Sequence, residues 1–157
     1  MPDLPRVGLG FDVHPRQPGR ALWLGGVRFE GEDGLNGHSD GDAVCHAIAD
    51  ALLGAAAIGD LGQHFPETDP DLEGIGGVDL LRRAARLVRS AGFTPASTDA
   101  TVVCEAPAIA PRRDEMRAAL AAALDLPLDR VSVKATRPEG LGLAGGGIGC
   151  LAVAVVA

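Results

Sequence analysis

Gly8-Leu9-Gly10-Phe11-Asp12-Val13-His14 closes a β-leaning run, residues 6–13, and sets an aspartate and a histidine two positions apart at its end. Strand side chains alternate between faces, so Asp12 and His14 point the same way and can grip one ion together. A second β-leaning run, 21–29, follows a segment holding Pro15, Pro18 and Gly19, which reads as two strands around a turn. Over 41–57 the apolar positions Val44, Ile48, Leu52 and Ala55/Ala56 recur at helical spacing, and Ser39-Asp40-Gly41-Asp42 has the serine-to-acid spacing of a capping box. A second helix, 78–91, carries Leu80, Leu81, Ala84, Leu87 and Val88 on one side and four arginines on a solvated other, with Gly92 as its stop. Runs 98–104 and 130–135 read as strands; between them Pro111 opens a third helix through Met116, Leu120 and Leu124, with Pro127 beyond its end. The last strand, 148–156, alternates weakly, so helices, neighbouring strands or another subunit should cover both its faces. The order β-β-α-α-β-α-β-β defines an α/β or α+β fold with a mixed sheet. About five strands and three helices leave little core, so subunits are expected to share apolar surface.

The 157 residues form one domain, 1–157, with no internal repeat or linker. Hydrophobic residues at 46% and charged residues at 22% are a folding composition, which excludes a disordered chain. A net charge of −7 has the wrong sign for nucleic-acid binding, and 3% aromatics cannot build a base-stacking platform. No stretch approaches the roughly 20 apolar residues of a spanning helix, and the N-terminus lacks an export signal, so neither membrane nor secretion is expected. Cys45, Cys104 and Cys150 match neither a disulfide framework nor a metal knuckle; they read as reduced thiols of a cytoplasmic protein.

Four histidines, His14, His38, His46 and His64, carry the chemical information. Asp42, His46 and Asp50 are each four apart and form one helical stripe. One carboxylate and two imidazoles make a three-ligand zinc set with an open fourth position, and Asp12, His14 and His46 fit it. Asp42 or Asp50 would then orient His46 through its second ring nitrogen. A solvated acidic helix face plus a strand-end Asx turn would give the same spacing. Cys45 lies about 100° around the helix from His46 and belongs to the core. His64 is read as a surface residue. Lys134, the only lysine, ends an apolar strand, where with Thr136 and Arg137 it can meet a phosphate while Glu139 holds a hard cation, or can merely snorkel from a sheet edge. Gly140-Leu141-Gly142-Leu143-Ala144-Gly145 has the letters of a dinucleotide fingerprint but no following helix, and reads as a tightly turned loop.

Taken in order, Asp12-Val13-His14, His38-Ser39-Asp40-Gly41-Asp42, His46, Asp50-Ala51-Leu52-Leu53-Gly54-Ala55, Gly59-Asp60-Leu61-Gly62, Phe65-Pro66-Glu67-Thr68-Asp69-Pro70 and Lys134-Ala135-Thr136 resemble the 2-C-methyl-D-erythritol 2,4-cyclodiphosphate synthase family, essentially end to end. The resemblance implies a homotrimer, helices on one face of each mixed sheet and the sheets around the three-fold axis, with active sites between adjacent subunits. It implies the non-mevalonate route to isoprenoid precursors. The reaction would be cyclisation of 4-diphosphocytidyl-2-C-methyl-D-erythritol 2-phosphate with release of CMP, a phosphorus-oxygen lyase activity. Zn2+, one per subunit, would sit on Asp12, His14 and His46, and Mg2+ or Mn2+ on Glu139 at the substrate diphosphate. His38 and Ser39 would position the erythritol phosphate, and Asp60, Leu61, Gly62, Phe65, Pro66, Glu67, Thr68 and Asp69 would contact the sugar alcohol. On the adjacent chain, Cys104, Ala106, Pro107, Ala108, Ile109 and Ala110, with Lys134, Ala135, Thr136, Arg137, Pro138, Glu139 and Leu143, would hold cytidine and diphosphate. Relatives carry threonine where Arg137 stands, so Arg137 would supply charge in place of a hydroxyl. The lysine often found in the nucleotide loop is Ala108 here. An arginine and a glutamate that many relatives carry near the trimer axis are Gly146 and Ile148, which removes a charged pair for an anion or prenyl diphosphate in a central cavity.

Overall fold

The computed structural model describes residues 4–142 and 146–157. In chain order the strands are β1 (Arg6–His14), β2 (Arg16–Gln17), β3 (Leu22–Leu24), β4 (Val27–Phe29), β5 (Gly34–Leu35), β6 (Pro95–Val103), β7 (Val131–Thr136) and β8 (Ile148–Val156). The helices are α1 (Ala43–Ala55), the short α2 (Leu61–His64), α3 (Gly77–Ser90) and α4 (Arg113–Leu124). The main sheet has the order β1-β8-β6-β7; β2 with β5 and β3 with β4 form separate ribbons. β8 runs antiparallel to both β1 and β6, and β7 parallel to β6. Consequently β1, β6 and β7 all end at the same edge of the sheet.

Four sequence expectations are corrected here. β1 pairs along its whole length with β8, from Arg6↔Val156 to His14↔Ile148, rather than with 21–29. That second segment folds on itself as the β3/β4 hairpin around Gly25-Gly26, both at positive φ (59° and 76°), the backbone that a two-residue turn needs to match strand twist. The helix expected over 41–57 starts instead at Ala43 with Asp42 as its cap, accepting from the Cys45 N–H at 3.0 Å. Ser39 accepts from Gly41 N–H and takes no part in a capping box. His64 is half-buried, its Nε2–H donating to the Ile58 carbonyl at 2.7 Å.

α1 lies directly on β1 because the strand presents Gly8 and Gly10 to it. A Cβ at Gly10 would fall 1.9 Å from the Ala47 carbonyl oxygen, and one at Gly8 equally close to that of Ala51. Ala47 and Ala51 are one helical turn apart, so small residues meet on both sides. The same alternation that buries Gly8 and Gly10 turns Asp12 and His14 toward α1, and on α1 His46 adjoins Ala47. Close strand–helix packing therefore assembles the histidines and the aspartate. Gly10→Ala is expected to destabilise the fold by about 3 kcal/mol or more, since backbone must move, and to lower the melting temperature by roughly 6–12 °C; an unshifted melting curve would contradict this packing.

All three longer helices cover one face of the sheet. On the other face Val7, Leu9 and Phe11 stand 66%, 67% and 51% exposed, and Leu151 and Val153 of β8 pair with Phe11 and Leu9 beside them. Only one face of β8 is thus covered within the chain. Cys45, Cys104 and Cys150 are buried and unpaired. Among the described residues, no helix is long and apolar enough to cross a membrane.

Candidate functional site

At the shared edge, Asp12, His14 and His46 bring one carboxylate oxygen and two ring nitrogens within 4.8 Å of one another. Asp12 Oδ2 lies 2.6 Å from His14 Nε2 and 3.2 Å from His46 Nδ1. The outer ring nitrogens are each held. His14 Nδ1–H donates to the Asn36 carbonyl at 2.7 Å, and His46 Nε2 lies 3.0 Å from the Ser39 hydroxyl. A hydroxyl can accept or donate, so Ser39 serves either His46 tautomer, while the Asn36 carbonyl accepts only and keeps the His14 Nε2 lone pair facing inward. Two outward-bonded imidazoles and a carboxylate converging on one point are the donor set of a divalent transition metal, so the residues fit a zinc ion.

The carboxylates expected to orient His46 are engaged elsewhere. Asp42 is fully buried and accepts from Gly25 N–H and Gly26 N–H, both at 2.8 Å, pinning the β3/β4 turn to the start of α1. Asp50 accepts from Leu61 N–H at 2.9 Å. Ser39 is the residue that holds the outer nitrogen of His46; this side chain and the Asn36 carbonyl arrive through loop geometry that helical spacing does not encode.

The cluster opens into a cavity of about 270 Å³, also lined by His38, Ser39, Leu61, Gly62, Phe65 and Glu67. His38 Nε2–H donates to the Asp69 carbonyl, which ties the 65–69 loop over the site. Asp60 caps α2 by accepting from Gln63 N–H, and Asp69 caps the following turn by accepting from Asp71 N–H. Pro66 and Thr68 are exposed on the loop. Among the described residues, no lysine or arginine lines this cavity.

A second cleft lies at the carboxyl ends of β6 and β7, where their parallel pairing and the α4 crossover leave a crevice. Cys104, Pro107, Ala108, Ile109 and Ala110 form one wall, Ala135, Thr136 and Arg137 the other, and Arg113 and Glu105 complete it. Ala106 and Pro138 line an adjoining depression, and an Arg16 N–H donor holds the Ala106 carbonyl. Lys134 does not stand free: its Nζ pairs with Asp99 on β6 at 2.5 Å. Glu139 is exposed at φ 52° beyond β7 and lines neither the cavity nor the cleft. Leu143, with Ala144 and Gly145, lies outside the described residues.

The ordered charges of the cluster set its response to acid. Burial pushes the Asp12 carboxyl up, but hydrogen bonds and charge from His14 and His46 outweigh it and hold the group at about 2. His14 is raised, first by its hydrogen bond to Asp12 and against burial. In a metal-free chain the Asp12 contribution to stability is present above 3.8 and lost toward pH 2. The His14 contribution is complete below 6.5 and lost as pH rises through its raised value. An ion replaces those protons, so its stabilisation grows over the same rise. The chelated protein is expected to melt highest in weak acid and to lose stability as pH rises above 6.5 through the raised His14 value, with the zinc-minus-chelator difference widening. A difference independent of pH would remove His14 from the ligand set.

A three-residue set that could hold a metal ion and a separate crevice at the carboxyl ends of parallel strands, both on one edge of a mixed sheet, are the layout of a small α/β enzyme. The chain matches the YgbB family over residues 5–157 and belongs to it. It is 54% identical over 144 residues to the 2-C-methyl-D-erythritol 2,4-cyclodiphosphate synthases of Burkholderia mallei and Burkholderia pseudomallei, spanning 92% of this chain and 89% of theirs. A solved 2C-methyl-D-erythritol-2,4-cyclodiphosphate synthase in a CDP-bound form matches with a TM-score of 0.89 at 35% identity, over 97% of this chain and 100% of that one. The bifunctional IspDF of Campylobacter jejuni gives 0.92 at 37% identity over 98% of this chain, which spans 42% of that longer protein.

Proposed function

We propose that the chain, as a single domain over 1–157, converts 4-diphosphocytidyl-2-C-methyl-D-erythritol 2-phosphate to 2-C-methyl-D-erythritol 2,4-cyclodiphosphate and CMP. The observation that carries this reading is the Asp12-His14-His46 convergence beside a cavity that, among the described residues, no lysine or arginine lines, on a fold whose CDP-bound relative it matches. An oxygen of the 2-phosphate attacks the β-phosphorus in line. The bond from that phosphorus to the oxygen bridging to the α-phosphate breaks, and CMP leaves with the electron pair, so no water is consumed. Attack of one phosphate on another requires cancelling their repulsion, which a chain of net charge −7 does not do unaided. Zn2+ on Asp12, His14 and His46, with Mg2+ or Mn2+ at Glu139, supplies that charge neutralisation when bound. Asn36 and Ser39 fix the imidazoles, and His38 with Ser39 holds the erythritol phosphate under the 65–69 loop. Positioning by these side chains is the main protein contribution. Arg137, from the cleft, meets charge developing on the diphosphate.

The working form in this proposal is a cytoplasmic homotrimer, with the bare faces of β1 and β8 around the three-fold axis. Leaving such an apolar patch in water is costly, and three copies would bury it at once. Reaction in 18O-labelled water tests the chemistry. Cyclic diphosphate free of label is expected; a linear, labelled diphosphate or phosphate would instead establish a metal-dependent hydrolase.

A further inference from the structure

The cleft at the ends of β6 and β7 contains an arginine that the roles above do not use. Arg113 opens α4, and its Nε is buried with no hydrogen-bond partner. Among the described residues it is in no ion pair, whereas its neighbours are committed: Arg112 pairs with Glu115 and Arg117 with Asp114. The buried Nε is itself closed to a ligand, but the side chain lines the cleft, and among the described residues no acceptor claims its guanidinium, so its terminal N–H donors are left for a ligand there. Arg137 lines the same cleft from the end of β7, and Glu105 is the single acidic side chain there. The metal cavity has the opposite character, with Asp12 and Glu67 and no Lys or Arg. Of these two sites, the cleft is the one lined by arginines among the described residues.

We propose that Arg113 is a phosphate-contact residue for the nucleoside diphosphate part of the substrate, closing on it from the α4 side while Arg137 approaches from the β7 side. This assignment rests on the cyclodiphosphate synthase reading. Guanidinium chemistry favours a phosphate over the base as the recognised group: five donors in a planar fork and no acceptor match phosphate oxygens. The start of α4 adds the positive end of a helix, and the acids of its first turn, Asp114 and Glu115, are already paired with arginines. Where the cleft has Ala108 rather than a cation, Arg113 provides one from a different element.

Calorimetric titration of the assembled wild-type protein, Arg113→Gln and Arg113→Lys with CDP and with cytidine tests this. Arg113→Gln is expected to weaken CDP about tenfold to hundredfold and cytidine less than about twofold, with Arg113→Lys between it and wild type. In turnover the loss should fall on KM, with kcat within about threefold. Unchanged CDP affinity, or equal weakening of CDP and cytidine, overturns the assignment, the second because it would mean a disturbed loop or base contact. Wild-type protein that binds neither nucleotide overturns the functional reading itself, and this assignment with it.

Discussion

His46→Ala is expected to lower turnover by roughly a thousandfold or more while leaving an assembled, folded protein. The size follows from the chemistry. Metal-borne neutralisation of phosphoryl charge amounts to several kcal/mol in the transition state, and each 1.36 kcal/mol is about tenfold in rate. His46 is the buried member of the ligand triad and its ring spans from Ser39 to Asp12, so alanine removes a donor and the hydrogen bond between α1 and the carboxylate. Folding should survive, because α1 is held by Leu52, Leu53 and Ile48 in the core and by close contact with Gly8 and Gly10, none of which involves the ring. Ser39→Ala separates orientation from ligation. It leaves all three ligands but strips His46 Nε2 of its partner, and should weaken zinc about tenfold to hundredfold; excess zinc should refill the site and restore part of the turnover, short of what Ser39 contributes by holding the erythritol phosphate. Excess zinc should do nothing for His46→Ala. Unfolding of His46→Ala in place of inactivity would make the ion a structural staple.

The strand-end pair Asp12 and His14 was legible because a period of two leaves no choice of face, and the α1 heptad-like spacing placed His46 on a helix. What could not be read is what lies across from each residue. Asp42 and Asp50 share a helical stripe with His46, yet spacing says only which side chains are neighbours along the helix. The peptide N–H groups of Gly25 and Gly26 claim Asp42, and that of Leu61 claims Asp50, through tertiary contacts with no sequence signature. Pairing of β1 with β8 joins the two ends of the chain, and nothing local marks it. The Val7-Gly8-Leu9-Gly10-Phe11 alternation is visible in the sequence, but its inverted sense, glycine inward and large apolar groups outward, makes sense only once α1 is seen lying on the glycines. Arg113 gave no signal at all: an arginine at a helix start is ordinary until its Nε is found buried and unpartnered.

A mixing experiment addresses whether one chain can complete the site. Among the described residues the cavity at Asp12, His14 and His46 and the cleft at the ends of β6 and β7 share no lining residue, and β1 and β7 are the outer strands of a four-stranded sheet, about 14 Å apart at usual strand spacing. If each active site takes its metal ligands from one subunit and its nucleotide cleft from the next, two inactive variants can rescue one another. His46→Ala disables the first half; Ala108→Trp, at an exposed position, fills the second without disturbing the core. Refolded together in equal amounts, random three-chain assemblies carry an intact pair at about one site in four, since each half is intact in about half the subunits. Activity near a quarter of wild type is therefore expected from two preparations that are each nearly inactive. The arithmetic has no free parameter beyond random assembly. Sites complete within a single chain would give no recovery at any ratio, because every chain in the mixture is broken in one half or the other. Recovery that appears only in the three-chain fraction on sizing would tie the chemistry to the bare face of β1 and β8.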